Sequence, residues 1–473
     1  MGQRAKSLIS ILLLLLFISL IFIIIQAGKG LEIGSAIRSI KATEAPQQGW
    51  DAVLETFRHP LPIFILQLIV IIIASQVCGF LFRKMGQPAV MGEILAGILL
   101  GPSLLGSLVP EFNTFVFPPE SLLNLQMLSQ IGLVLFMFVI GMELDLNIIK
   151  SKARAAMYIS NASIIIPYLL GVVVSYFIYQ DYAPRDIPFY AFALFMGIAM
   201  SITAFPVLAR VIRERGLNNT KLGTIAITSA AAGDITGWCL LAFVIAIVKA
   251  GSLLTSLYII AAATIYILLM FFVVRRLLTR LVVADNDEKN IKPSSLAIIF
   301  VVMLLSAYCS EIIGIHALFG AFLAGVIMPE KWNFRKLIID KIEDVALVLL
   351  LPLFFVFTGL RTEIGLINDA SLWTVCIIIT LVAIAGKFGG GAIAARIKGE
   401  SWQDSLSIGA LMNTRGLMEL VILNIGYDLG ILSPQVFTMM VIMALLTTFM
   451  TSPALDLINY LFRKKEEPST TPR

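Results

Sequence analysis

Long apolar segments with few charges recur along the entire chain of 473 residues. Each is about 20 residues long, which is enough for a helix to cross the hydrocarbon core of a bilayer. Apolar and polar residues do not alternate within them, which excludes a membrane β-barrel. Because 59% of the residues are hydrophobic and only 14% are charged, the composition also excludes a soluble globular domain. The sequence therefore predicts an all-α polytopic membrane protein.

The layout predicts one N-terminal hydrophobic segment and thirteen core helices. The first segment, 8–26, is either a signal peptide or a retained signal anchor, and residues 1–60 include it and an external linker. A single membrane region is expected at 61–461, followed by a short cytoplasmic tail, 462–473. The core helices are predicted at 62–82, 88–107, 128–146, 154–178, 188–212, 219–248, 254–278, 294–311, 313–329, 341–360, 372–396, 405–427 and 435–461.

Basic residues indicate the orientation and limit the partners. If Arg83 and Lys84 lie in the cytoplasm, about three quarters of the 35 Lys and Arg residues fall in cytoplasmic loops. The same layout places the C-terminus in the cytoplasm, and we expect a bacterial inner membrane. Since the basic residues are spread over short loops, the net charge of +5 does not suggest a nucleic-acid partner. The four cysteines lie in apolar segments without metal or disulfide spacing. The sequence contains no Walker loop, no GxGxxG followed by an acid and no HExxH, so we expect no cofactor and no enzymatic activity.

Two pairs of segments indicate an inverted repeat. "EILAGILLGP" (93–102) is similar to "GAFLAGVIMP" (320–329), and "LVLFMFVIGMELD" (133–145) is similar to "LPLFFVFTGLRTE" (351–363). The pairs occur in the same order, and the predicted layout gives their members opposite directions across the membrane. Inverted repeats are typical of secondary transporters, which bind substrate where the repeats meet.

The next segment of each half is predicted to be an interrupted helix. Pro206 lies inside the first of these segments, and polar residues with Gly416 lie inside the second. Helices broken at corresponding positions are the best sequence indication of a transport site. Free carbonyls there could solvate a cation, and Thr203 and Thr414 could add hydroxyl oxygens.

A single carboxylate, Asp234, lies midway along the apolar segment 227–248. Placing a charge at the bilayer centre costs about 2.5–3.5 kcal/mol on insertion scales, so such a residue is a functional candidate. A carboxylate there can hold either a proton or a hard monovalent cation, which is the minimal chemistry of an antiporter. Ser229 could add a ligand oxygen. The alternative is a structural aspartate paired with a buried base.

Four further charges fall inside or near predicted spans. Lys387 lies too deep to reach the interface easily, so it either offsets a carboxylate at the site or is a structural cation. Arg415 and Glu419 are one helical turn apart, which favours a mutual ion pair. Glu93 is a further candidate partner for these cations.

Seven motifs in this order resemble the second monovalent cation:proton antiporter family of the sodium/hydrogen exchanger superfamily. They are "GEILAGILLGPSLLG", "FVIGMELD", "SITAFPVLARVI", "AAAGDITGW", "GIHALFGAFLAGVIMP", "LPLFFVFTGL" and "MNTRGLMELVILNIGYDLG". The chain looks most like the plant-type cation/H+ exchangers and their bacterial relatives. The resemblance covers roughly residues 60–460 and implies exchange of Na+ or K+ for H+.

The resemblance implies a homodimer whose subunits each contain a dimerisation part and an ion-transporting core. The dimerisation part would be 62–146 and 294–360, the core 154–248 and 372–461, and 254–278 a linking helix. The two interrupted helices would cross in the core. The family's ion-binding aspartate falls on Asp234 and its membrane lysine on Lys387, and the core is thought to move like an elevator.

The chain departs from electrogenic members of the family at one position. Those members carry two adjacent acids at this site, whereas here Gly233 precedes Asp234. We therefore expect electroneutral exchange. Three other readings remain: a channel or K+ efflux system gated by a separate subunit, a proton-pumping subunit of a respiratory complex, and a transporter of a larger organic cation. The sequence does not choose between Na+ and K+.

Overall fold

The computed structural model describes Ser19 and residues 59–143, 153–217, 220–250, 253–281, 291–329 and 334–462. The chain divides into two units, residues 1–62 and 63–473. In the first unit only Ser19 and residues 59–62 are described, so most of the predicted segment 8–26 and of the linker lies outside the described residues. In the second unit the predicted tail lies outside them from residue 463 onward. The fold below is that of the second unit.

Every regular element in the described ranges is a helix. The first half contains α1 (Pro60–Lys84), α2 (Ala89–Leu100), α3 (Leu105–Leu108), α4 (Pro110–Val116), α5 (Pro119–Glu143), α6 (Ala153–Tyr182), α7 (Phe189–Ser201), α8 (Phe205–Glu214) and α9 (Lys221–Ala250). The rest contains α10 (Leu253–Leu269), α11 (Arg275–Leu281), α12 (Pro293–Ile313), α13 (Ala317–Val326), α14 (Phe334–Val345), α15 (Leu351–Leu360), α16 (Ala370–Ile384), α17 (Gly390–Ile397), α18 (Trp402–Met412), α19 (Leu417–Asp428) and α20 (Pro434–Phe462).

Three of these helices continue into the next through a single π-helical turn. The turns are Met270–Val274 between α10 and α11, Ala346–Leu350 between α14 and α15, and Ala385–Gly389 between α16 and α17. A short 3-10 turn, Ile364–Leu366, follows α15. The π turns therefore join shorter segments into helices long enough to cross a bilayer.

Ten helical segments among the described residues are long and apolar enough to span a membrane. Two further apolar helices, α7 and α13, are shorter. The prediction of an all-α, multi-pass membrane protein is thus confirmed, and the total of thirteen core helices stays a prediction.

Two predicted boundaries are wrong by about two turns. Helix α5 begins at Pro119 rather than near 128, and α14 begins at Phe334 rather than near 341. The early turns of both helices are rich in polar or charged residues. Hydropathy alone assigns such polar turns to loops, although they form part of packed helices in the structure.

Close glycine contacts join the two similar halves of the chain. A Cβ placed on Gly97 of α2 would lie 2.8 Å from the Cα of Gly359 on α15. A Cβ on Gly141 of α5 would lie 3.0 Å from the Cα of Gly325 on α13. Each contact pairs the second apolar helix of one half with the third of the other, as expected for an inverted repeat.

Helix α6 packs against several of the helices that contain the predicted site residues. It packs against α7, α9 and α17, while α18 packs against α17 and α20. The interrupted helix α7–α8 also contacts α9. These contacts bring the middle of α9, the π turn between α16 and α17, and both helix interruptions into one buried region.

Candidate ion-binding site

The two helix interruptions lie against each other. Helix α7 ends at Ser201 and α8 begins at Phe205, while α18 ends at Met412 and α19 begins at Leu417. The Ala204 N–H donates to the Thr414 carbonyl at 3.2 Å. Two interrupted helices in corresponding positions are thus confirmed, and the backbone groups freed by one interruption are partly satisfied by the other.

The first interruption falls earlier than Pro206 suggested. The non-helical residues are 202–204, and Pro206 is the second residue of α8. Proline is tolerated in the first turn of a helix because the N–H it lacks has no helical partner there. Pro206 therefore marks the start of the second half-helix and does not lie within the break.

Glycine is required in the second interruption. Gly416 has a φ of 139°, a conformation that residues with a Cβ rarely adopt. A Cβ at this position would also lie 3.1 Å from the Val207 side chain on α8. The backbone of Gly416 thus allows the two interrupted helices to approach each other.

Asp234 is buried in the middle of α9, with 2% of its surface exposed. Within the described part of the chain, neither carboxylate oxygen accepts a hydrogen bond, and no ion pair within 4.0 Å includes this residue. The groups that act on it electrostatically are the backbone amide of Phe205 and the ammonium of Lys387. Phe205 is the first residue of α8, so the positive end of that half-helix is directed toward the carboxylate.

Lys387 is fully buried on the π turn between α16 and α17. Its ammonium donates to the Ser163 carbonyl at 3.1 Å and to the Ser201 carbonyl. Pro167 lies inside α6 four residues after Ser163 and has no N–H, so the Ser163 carbonyl lacks its helical donor. Ser201 is the last residue of α7. Lys387 therefore binds two carbonyls that the helices leave free.

Arg415 binds the same half-helix end. Its guanidinium donates to the carbonyls of Ala199 at 3.2 Å and Met200 at 2.8 Å, and it pairs with Glu419 at 2.8 Å. Both side chains of this pair are fully buried. Because the C-terminal end of a helix carries partial negative charge, the two cations Arg415 and Lys387 stabilise the end of α7.

The remaining predicted site residues are placed as follows. Thr203 lies in the first interruption and donates its hydroxyl to the Met412 carbonyl at 3.4 Å. The Thr414 hydroxyl lies 3.3 Å from that of Thr451 on α20. The Ser229 hydroxyl is buried and has no hydrogen-bond partner among the described residues. Glu93 is half-buried on α2, and the described contacts of Lys387 and Arg415 do not include it.

Sequence reasoning missed Ser160 and Ser163. Both are fully buried on α6, and neither hydroxyl has a hydrogen-bond partner within the described residues. A Cβ on Gly233 would lie 3.3 Å from the Ser160 hydroxyl oxygen. The signal in the sequence is Pro167, since a proline within a span frees the carbonyl four residues earlier.

The curated proteins most similar to this chain in the comparison include several cation/H+ antiporters. The Na+/H+ antiporter NhaS4 of Synechocystis sp. is 42% identical over 401 residues, which cover 84% of this chain and 97% of the relative. Cation/H+ antiporter 17 of Arabidopsis thaliana is 39% identical over 398 residues, and this chain spans only about half of its length.

Solved structures show the same fold. The sodium proton antiporter MjNhaP1 of Methanocaldococcus jannaschii superposes with a TM-score of 0.62 at 14% identity, covering 84% of this chain and 98% of that protein. The family described as "Sodium/hydrogen exchanger, transmembrane" matches residues 69–457. The chain therefore belongs to the sodium/hydrogen exchanger family of monovalent cation:proton antiporters.

Proposed function

We propose that this protein exchanges one Na+ or K+ for one H+ at Asp234, by alternating access of an elevator type. The observation that carries the proposal is the isolation of this carboxylate. It is buried, the backbone amide of Phe205 at the positive end of α8 faces it, and no described side chain forms a hydrogen bond or ion pair with it. A buried carboxylate that no ion pair neutralises must acquire a mobile counter-charge. A proton and an alkali cation are exclusive alternatives for that role.

Oxygen atoms around the interruptions suit a hard monovalent cation. Thr203 and Thr414 carry buried hydroxyls at the two breaks, and the adjoining backbone carbonyls are not part of continuous helices. Carboxylate, hydroxyl and carbonyl oxygens bind both Na+ and K+. We therefore propose the class of cation and leave the choice between the two ions to the transport assay.

The contacts of Lys387 support electroneutral exchange. Gly233 supplies no second carboxylate, and the lysine binds the Ser163 and Ser201 carbonyls instead. If the lysine keeps its proton throughout the cycle, the only group that changes its occupant is Asp234. One cation then crosses for each proton, and no net charge moves.

Alternating access requires one group of helices to move against another. A polar cavity of about 350 Å³ lies next to Asp428 of α19 and Gln126 of α5. Asp428 also pairs with Arg361, at the end of α15, at 2.7 Å. In the proposed division, α19 belongs to the moving core, and α5 and α15 belong to the dimerisation part of a homodimer. The cavity would then be an entrance that opens and closes as the core moves.

The direct test is transport in proteoliposomes with a trapped pH-sensitive dye. We expect Na+ or K+ to dissipate an imposed pH gradient, and Asp234→Asn to abolish this response while the protein remains folded. Asp369→Asn is the matched control, because Asp369 is an exposed aspartate at the start of α16. Retained cation-dependent proton movement in Asp234→Asn would refute the assignment.

Voltage tests the stoichiometry separately. Moving one net charge is worth about 2.3 kcal/mol per 100 mV of membrane potential. An electroneutral exchanger should reach the same final pH gradient with and without a potential imposed by valinomycin and K+, with Na+ as the exchanged cation. A final pH gradient that depends on the membrane potential would contradict one-for-one exchange. Separately, a cation flux far above the rate of an alternating-access cycle would favour a gated K+ channel.

A further inference from the structure

An apolar groove of about 140 Å³ lies between α9 and α10. Its floor is formed by buried residues of α9, of α10 and of α13 with the turn before it, and its rim by exposed residues of α9 and α10. The floor residues are Ala242, Ala246, Ile259, Ile315 and Phe319, and the rim residues include Cys239, Phe243 and Thr264. The groove is therefore closed toward the protein and open on its outer side.

The outer side of the groove faces the bilayer. Helix α10 lies in the segment Tyr258–Arg280, which is long and apolar enough to span a membrane. Of the apolar stretch of that segment, 17% is buried inside the protein, the smallest share among the ten such segments in the described residues. The large apolar residues that α10 exposes include Ile265 and Leu268. Lipid is therefore the medium that covers α10 and reaches the rim of the groove.

The lining of the groove selects an apolar occupant. None of the described residues that line it is charged, and Thr264 supplies the only hydroxyl among them. This hydroxyl already donates to the Ile260 carbonyl at 2.8 Å. A buried water needs two to four polar partners, whereas an apolar cavity of about 150 Å³ stays dry and binds small apolar molecules. Water is therefore a poor occupant of the groove.

The two helices leave this space although their side chains would allow a closer approach. Ala242 and Ala246 of α9 and Ala263 of α10 all line the groove. Small residues normally let membrane helices pack closely. If the groove were empty, its lining atoms would lose their dispersion contacts on one side. A long apolar molecule between the helices restores those contacts.

We propose that one acyl chain of a membrane phospholipid occupies the groove between α9 and α10. The chain is apolar, it is thin enough to lie between two helices, and the bilayer supplies it at the exposed rim. A helix of a partner protein does not fit, because its diameter with side chains is about 10–12 Å. Since no described lining residue is charged, the site binds the chain and does not select the headgroup.

The groove also lies where the proposed moving parts meet. Helix α9 belongs to the proposed core, Ile315 and Phe319 belong to the proposed dimerisation part, and α10 lies in the linking helix. An acyl chain there is a deformable filler between parts that move against each other. This consequence rests on the proposed elevator-type exchange, whereas the lipid site itself does not.

The first test is a structure of the wild-type protein in nanodiscs of phosphatidylcholine and phosphatidylglycerol. We expect elongated density along the groove, about 3.5–4.0 Å from the side chains of Ala246 and Phe319. An empty groove, direct packing of α9 on α10, or density for a protein segment would overturn the proposal.

Photolabelling distinguishes a bound chain from bulk lipid. Phosphatidylcholine with a diazirine on one acyl chain should label Ala246 and Phe319, which are only 1% and 5% exposed, beyond the reach of bulk lipid. Ala263→Trp places an indole in the groove and should reduce this labelling severalfold, whereas Ala261→Trp, at an exposed position outside the groove, should not. Labelling of exposed Ile65 on α1 should be equal in all three proteins.

The labelling has clear contrary outcomes. Unlabelled floor residues in the wild-type protein, or undiminished labelling in Ala263→Trp, would contradict the site. The same diazirine chain on phosphatidylglycerol should give the same pattern. Labelling by a single headgroup class would contradict recognition of the chain.

Transport tests the consequence for movement. In proteoliposomes, Ala263→Trp should lower the turnover number severalfold and leave the KM for the cation unchanged, while Ala261→Trp keeps wild-type kinetics. An unchanged turnover in Ala263→Trp would show that the occupant of the groove takes no part in the movement. If the wild-type protein showed no exchange, the proposed function would fail, and the density and labelling would still decide the lipid site.

Discussion

Arg415 should be essential for folding while Glu419 is present, and the free-energy cost of removing it can be worked out from its contacts. Arg415→Met removes the donor to two carbonyls and leaves Glu419 as an uncompensated buried charge. Breaking a buried ion pair from one side costs about 3–5 kcal/mol. Each buried carbonyl that loses its donor adds about 1–3 kcal/mol, for a total near 5–11 kcal/mol. Since whole domains are stable by about 5–15 kcal/mol, little folded protein should remain.

The double variant Arg415→Met/Glu419→Met separates the ion pair from the carbonyls. It removes both charges, so only the two carbonyls stay unsatisfied, and it should be more stable than Arg415→Met by about 3–5 kcal/mol. The assay is folded yield and apparent melting temperature in detergent, by fluorescence-detected size exclusion. Lys336→Met, which removes an exposed basic residue, is the control.

The order of stabilities tests this reasoning. The expected order is wild type, then the double variant, then Arg415→Met. A double variant that melts below Arg415→Met would mean that the two charges act independently. The reasoning would also fail if Arg415→Met melted within a degree or two of wild type, because the carbonyls of α7 would then not need the guanidinium.

Three further perturbations follow from the structure. Gly97→Val should sharply reduce folded yield, because its Cβ would meet the backbone of α15, whereas Gly365→Val has open space and should be neutral in the same assay. Pro167→Ala restores an N–H that can donate to the Ser163 carbonyl within α6, which should raise the apparent melting temperature. The same N–H competes with Lys387 for that carbonyl, so proton–cation exchange in proteoliposomes should slow, and faster exchange would contradict this. Asp428→Asn should change the exchange rate by no more than about fivefold, because its pair with Arg361 is partly exposed and worth about 1 kcal/mol or less; complete loss of exchange would contradict it.

The interrupted helices were predictable because their sequences depart from the continuous apolar pattern of a membrane-spanning helix. Polar residues and Gly416 inside an apolar span are costly in a continuous helix, so their presence indicates a break. The location of the first break was not predictable from Pro206 alone. A proline fits both the middle of a kink and the first turn of a new helix. The structure distinguishes these cases, because α8 begins at Phe205 and Pro206 is its second residue.

The partners of the buried cations were only partly predictable. Arg415 and Glu419 pair as their spacing of four residues indicated, because that contact is local to one segment. The bonds of Lys387 depend on the approach of α6 and α7 from far along the sequence. Periodicity contains no information about such an approach. A carbonyl freed by Pro167 could be inferred, but its acceptance of a lysine 224 residues away could not.

The buried charges together explain why exchange at Asp234 should be electroneutral. Arg415 and Glu419 cancel each other within one ion pair. If Lys387 keeps its proton, it remains as one positive charge, which backbone carbonyls rather than a carboxylate stabilise. When Asp234 holds either a proton or a monovalent cation, its own charge is neutralised, and the moving region carries the same net charge in both forms. If the core moves as proposed, it crosses the membrane with the same charge in each direction, so the charge displaced in one half of the cycle is returned in the other. The membrane potential then affects the rate of each half-cycle, and the final cation gradient is set by the pH gradient alone.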